Sequence, residues 1–294
     1  MLNFRLSEIC HVPDDCSAYF CTMIKLILPI LALMMITISC NNQDRTEKKT
    51  QQAVELTTAR EKILKDSIAR FPELFSLKEE LIEYYVDSLE AADYDKALEV
   101  ADKALERDSL NDKLWDIKGT LHFENDDTLN AIRSYETAMR INPQPRYLLL
   151  LGSLYAQTKN TRALAVADAL LKTKLPDTEK EAFFIKGLYY NYSGDKKTAI
   201  SFFDQCLNID NRYMFAYREK GIALYDMGKY EDAVTVLDKA VTLQNNFDEG
   251  YYWLGRCLEK LNKPNDAIQE YQTALMYSPD YVEAKDALTR LGVK

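Results

Sequence analysis

The chain has 294 residues, 47% of them hydrophobic, which is enough apolar side chain to build one large or two ordinary folded domains and excludes wholesale disorder. Its formal charge of -9 excludes a surface that tracks nucleic-acid phosphates, because that affinity comes from Lys and Arg. Four of the six cysteines, Cys10, Cys16, Cys21 and Cys40, crowd the first forty residues, a distribution unlike a disulfide framework.

Residues 1–39 read as a signal region. Lys25, the apolar run Leu26 to Ile38 and the small residue Ser39 are the three parts of a secretory signal, and the run is short of the roughly 20 residues that cross a bilayer. The tripeptide before Cys40 resembles a relaxed bacterial lipobox, with Thr37 and Ile36 near the place where Leu is usual. That resemblance implies a lipoprotein signal over 23–39 and a lipidated Cys40 as the first mature residue. An uncleaved membrane anchor and a generic signal that happens to end in cysteine are the open alternatives. Residues 1–22 carry acids where a signal's first segment is basic, and Met23 gives a compact start, so 1–22 read as an over-extended gene start. The polar stretch 40–52 reads as a tether, and 53–77 as a packing helix with Leu56, Ile63, Leu64, Ile68 and Phe71 at helical spacing before Pro72.

Beyond residue 77 the sequence repeats. Ala97, Ala131, Ala163, Ala199, Ala233 and Ala267 recur at intervals of 34, 32, 36, 34 and 34 residues. About a dozen residues before most of them stand Gly119, Gly152, Gly187, Gly221 and Gly255, and seven after stand Ala104, Ala138, Cys206, Ala240 and Ala274. Small residues at fixed offsets mark close helix crossings, and Trp115, Tyr135, Phe203, Tyr217, Tyr251 and Tyr271 fill complementary positions. The pattern resembles the tetratricopeptide repeat, a helix-turn-helix unit of 34 residues. The resemblance implies an all-α, right-handed superhelical solenoid of six units, 78–111, 112–145, 146–179, 180–213, 214–247 and 248–281, with a capping helix over 282–294. The third unit departs from the others in the length of its inner turn.

No nucleophile, base or metal cluster emerges from the mature sequence, so the expectation is a non-enzyme without cofactor or metal. His122 and the two cysteines of the repeats, Cys206 and Cys257, read as packing residues. The resemblance implies instead that the first helix of each unit lines a concave groove, whose exposed slots fall on Phe123, Arg146, Phe184, Asn191, Phe215, Arg218, Tyr225, Tyr252 and Arg256. Aromatic and arginine side chains are what binding hot spots favour; the competing reading of each aromatic is that it belongs to the core between units. The Lys and Asn set by which some relatives grip chaperone tails is absent, since those slots hold Asp116, Thr120, Arg218 and Ile222. The expected function is therefore a scaffold or adaptor for protein or peptide partners, held in the bacterial envelope by lipid and facing the periplasm. The alternatives are an accessory subunit of an envelope enzyme or secretion assembly, and a soluble cytoplasmic regulator.

Overall fold

The structure, a computed structural model, describes residues 59–87, 92–173 and 178–293. The expected signal region, Cys40 and the expected tether lie outside the described residues. No described helix is long and apolar enough to cross a membrane. The chain divides into two compact units, one ending at Asp93 and the other starting at Tyr94.

In the first unit, helix α1 (59–70) stops ahead of Pro72, whose ring disfavours helix in the residue before it. Helix α2 (Phe75–Asp87) follows. Leu64 of α1 is buried together with Leu81, Ile82, Tyr84 and Tyr85 of α2. The Tyr85 hydroxyl donates to Glu61 at 2.8 Å, tying the two helices across their polar edge.

The second unit is a run of helices: α3 (Tyr94–Leu105), α4 (Asp112–Glu124), α5 (Thr128–Ile141), α6 (Pro145–Gln157), α7 (Arg162–Thr173), α8 (Thr178–Ser193), α9 (Lys196–Ile209), α10 (Met214–Asp226), α11 (Tyr230–Leu243), α12 (Asp248–Lys260), α13 (Pro264–Tyr277) and α14 (Val282–Arg290). No strand occurs among the described residues, and the fold is an all-α helical repeat. Local chemistry sets several helix starts. Asn111, Asp127 and Asp195 accept from the backbone N–H three residues on, at 3.3, 3.2 and 3.1 Å, and so satisfy one of the free donors of α4, α5 and α9. Pro145 and Pro264 open α6 and α13, where the missing N–H costs nothing.

The recurring glycines explain the pairing of helices. A Cβ built on Gly119, Gly187, Gly221 or Gly255 would lie 2.4 to 2.7 Å from the side chain sixteen residues later: Tyr135, Phe203, Leu237 or Tyr271. Each first helix is thus pressed onto the large residue of its own second helix, at a distance only glycine permits. Gly152 differs, because its Cβ would meet Ile185 of α8 at 2.5 Å and Val166 of α7 at 3.1 Å. The turn before α7 differs as well. The residue in the left-handed backbone region, Asp126, Gly194, Gly228 or Asn262, precedes the repeat alanine by five positions, whereas Lys159 precedes Ala163 by four. This missing residue is the inner-turn departure expected for the third unit, and the slot four residues past the repeat alanine, filled by Tyr135, Phe203, Leu237 or Tyr271 in the other units, is Ala167 in α7, so no large side chain of α7 meets Gly152 there.

Within the second unit helices pack on their sequence neighbours. In addition α6 touches α8, α8 touches α10 and α10 touches α12, with no equally close contact between second helices among the described residues. The first helices converge while the second helices splay, so the surface curves toward α6, α8, α10 and α12.

Candidate functional site: the face of the first helices

The nine groove positions do not share one environment. Phe123 on α4 and Phe215 on α10 are 46% and 53% exposed, far more than apolar packing would leave. Phe184, Tyr252 and Asn191 are buried. Phe184 packs within its own unit, 6.0 Å from the Phe203 ring and 5.1 Å from Tyr213. Asn191 accepts from Lys196 Nζ at 2.8 Å and faces Glu219 at 3.4 Å.

The three arginines also differ. Arg146 on α6 is paired with Asp116 of α4 at 2.7 Å and lies over the Tyr147 ring. Arg218 donates to both oxygens of Glu249 on α12, each at 2.6 Å, and also to Glu219 at 3.2 Å. It is a strut between α10 and α12. Burial pushes the Glu219 carboxyl above its usual range, by more than Arg218 beside it pulls the group down. Arg256 on α12 is different again. Its guanidinium carbon sits 4.8 Å from the Trp253 ring centre, 5.0 Å from Tyr225 and 5.8 Å from Tyr252. It donates to the Tyr225 and Tyr252 hydroxyls at 3.2 and 3.3 Å. Burial works against the charge, but the two tyrosine hydroxyls outweigh it and raise the Arg256 pKa.

The structure thus brings together Tyr225, Tyr252 and Arg256 of the expected set. They line a cavity of about 440 Å³ completed by Glu259, Lys260, Glu283, Asp286, Ala287 and Arg290. The cap helix α14 supplies four of these, none of which the groove slots include. Trp253, the third ring around Arg256, is likewise outside the expected set. A sequence signal for the pairing exists: partners in neighbouring units stand 30 or 31 residues apart, as in Asp116–Arg146, Lys196–Asp226 and Arg218–Glu249, and Glu259–Arg290 joins the last unit to the cap at the same spacing. A second cavity of about 650 Å³ opens between α5 and α7, on the side of the second helices, and is lined mainly by Met139, Leu148, Leu151 and Val166.

No group of His, Cys, Asp and Glu among the described residues could hold a metal ion. Cys206 and Cys257 are free and buried, and burial pushes both thiols up to about 12. A thiol so raised is protonated at neutral pH and a poor nucleophile.

Models of the tetratricopeptide repeat match residues 180–213 and 224–291. No curated protein sequence matches the chain. Among solved structures, a tetratricopeptide repeat protein from Parabacteroides merdae is similar over 80% of this chain and 92% of its own, with TM-score 0.64 and 19% identity. A thermophilic tetratricopeptide repeat protein of Thermus thermophilus matches over 61% of this chain and 98% of its own, with TM-score 0.52 and 17% identity. PilW, a type IV pilus biogenesis factor, matches over 72% of this chain and 97% of its own, with TM-score 0.51 and 18% identity. At these identities the likeness is one of fold, and the fold is that of tetratricopeptide repeat proteins. Proteins of this class generally mediate protein–protein interactions.

Proposed function

We propose that the protein is a non-enzymatic scaffold that binds protein or peptide partners on the face formed by α4 to α12, and that a lipidated Cys40 tethers it to the bacterial envelope, facing the periplasm. The observation that carries the binding half is Phe215. It stands 53% exposed on the side toward which the first helices converge, with the Arg218 guanidinium 5.4 Å from its ring. A large apolar ring held by a fixed cation on a curved surface is the composition of an interaction hot spot. The tether rests on the run from Lys25 to Cys40 and on the polar residues that follow it.

A photo-crosslinking amino acid placed at position 215, and separately at the exposed Leu129 of α5, tests the face in living cells. Discrete crosslinked species from position 215 and none from position 129 are the expected result; equal labelling from both would overturn the assignment of the face. Mass spectrometry of the detergent-extracted protein tests the tether. A mature chain beginning at an acylated Cys40, lost in Cys40→Ser, supports it, and an intact Met1 or Met23 in a fraction free of membrane sinks it.

A further inference from the structure

The cavity between α5 and α7 lies on the side of the second helices, and the other units of the same chain set a standard for what belongs there. Four residues before the crossing glycine stands a large ring in four units: Trp115, Phe183, Tyr217 and Tyr251. In the third unit that slot holds Leu148. Where the ring is present it rests on the second helix of its own unit. Phe183 stacks on Phe202 at 6.3 Å, and Lys239 Nζ lies 5.7 Å from the Tyr217 ring centre. Phe202 and Lys239 stand three and six residues past their repeat alanines. The same positions of α7 are Val166 and Ala169, and both line the cavity together with Leu148. The third unit therefore has an opening of about 650 Å³ where its sisters have a ring and the side chain on which the ring rests.

The walls define the occupant. Leu151 and Tyr155 are buried at the cavity, and Leu148, Met139 and Val166 are half-buried, so apolar surface dominates it. Ala165 and Ala169 form an exposed edge of α7. At the place of Ala165 the other units carry Glu99, Arg133, Ser201, Thr235 and Gln269, all longer or polar, so the way in is open only here. The volume falls within the range of small-molecule sites. Polar groups are few. Glu136 accepts from the Tyr155 hydroxyl and pairs with Arg162, whose guanidinium lies 5.2 Å from the Tyr155 ring, so these three satisfy one another. Arg140, the other cation of the lining, donates to the Thr137 hydroxyl at 3.0 Å and forms no ion pair among the described residues. A guanidinium at the edge of an apolar slot attracts the face of a ring and disfavours a second cation.

We infer that this cavity binds a small aromatic molecule, neutral or singly anionic, whose ring takes the place that Phe183 and Tyr217 fill in their own units. Leu148, Leu151 and Val166 supply the apolar contact, the two alanines leave the entry clear, and Arg140 sets the preferred sign of charge. The site goes beyond the scaffold reading and stands or falls without it, because it lies away from the first-helix face.

Isothermal titration calorimetry of the full chain tests it with three probes: 2-naphthoate, octanoate, which has the same charge without a ring, and 2-naphthylmethylamine, a cation at neutral pH. The expected result is saturable binding of one 2-naphthoate, about threefold or more tighter than either of the others. Leu148→Phe restores the ring of the sister units and should abolish binding without lowering the urea midpoint. Ala169→Lys puts on the exposed edge of α7 the residue that α11 carries there. It should weaken binding about tenfold or more, and its surface position keeps the test decisive if Leu148→Phe fails to fold. Phe215→Ala, on the face of the first helices, should leave the affinity unchanged. No binding of 2-naphthoate, equal or tighter binding of the amine, or an unaltered affinity in Ala169→Lys would overturn the inference. Equal or tighter binding of octanoate would also overturn it and give the cavity to an alkyl chain. Self-association in sedimentation that Ala169→Lys dissolves would give it to a second copy of the chain, with the same consequence.

Discussion

Lys159 occupies the left-handed backbone region, with φ 57°, at the turn between α6 and α7, where the corresponding turns of two other units use Gly194 and Gly228. A Cβ in that region clashes with the neighbouring carbonyl at a cost of about 1 kcal/mol. Lys159→Gly should therefore raise the stability of the protein by up to about 1 kcal/mol, offset in part by the greater freedom of glycine in the unfolded chain, and urea titration measures it. A fall in the midpoint would show that the lysine side chain contributes more than the backbone strain removes. The same scale governs the arginines. Arg218 is an attractive groove residue by sequence because an unpaired arginine is hard to bury, but the structure pairs it. Removing it leaves Glu219 buried without its cation, so Arg218→Gln should lower stability by about 2 kcal/mol. Arg218 is therefore a poor site for testing partner binding, because its loss confounds folding with recognition, whereas Arg256 sacrifices no ion pair.

Between helices, the decisive contact is glycine against a large side chain. Gly187→Ala would set a methyl 2.4 Å from the Phe203 ring, and overpacking of this kind costs typically 1 to 3 kcal/mol. Phe203→Leu in the same chain removes volume at the point of the clash and should recover part of that loss; a strictly additive double variant in thermal unfolding would show that the two residues do not share the crossing. Much of this element pattern was legible beforehand. Gly119, Gly187, Gly221 and Gly255 stand at a constant offset from their alanines, and that regularity is the direct imprint of one helix crossing reused. The site was less legible. Phe184, Asn191 and Tyr252 sit at slots expected to face a partner, yet they lie buried, because whether such a slot opens to solvent depends on how tightly the next unit is pressed on, and the sequence of one unit carries no record of that. Arg256 was named, but its lack of a carboxylate depends on the rotation of α12 against α10. The contribution of α14 came from residues of the cap, which belong to no repeat and so had no periodic position to read.

Over the second compact unit, carboxylates caught in caps and ion pairs set the response to acid. Hydrogen bonds from the Thr198 side chain and backbone hold the Asp195 carboxyl below its usual range, Asn130 does the same for Asp127, and Lys180 with the Arg212 N–H does so for Asp210. Groups whose folded pKa is depressed take up protons more readily when unfolded, so their stabilisation is present above about pH 4 and is lost as the pH falls through the folded values. Glu219 acts in the opposite sense, because burial raises its pKa and its protonated form favours the folded state. The individual effect is isolated by a variant: Asp195→Asn should be less stable than the natural chain at pH 7, and the gap should close as the pH approaches 3, followed by urea midpoints across that range. A gap that stays constant with pH would show that the cap acts through shape alone, without its charge.

The cross-unit ion pairs also bear on how such a chain can be rearranged by duplication or loss. The units look interchangeable by length and by their glycines, but each carries an address for one neighbour. Excising 214–247 would leave the reading of small and large residues intact while bringing Lys260 to the place that Asp226 holds opposite Lys196, and would strand Glu249 without Arg218. Like charges would then meet where a pair had been. The order of the units is written in their charges, and a shuffled array of the same parts would carry the same fold signature with the wrong joints.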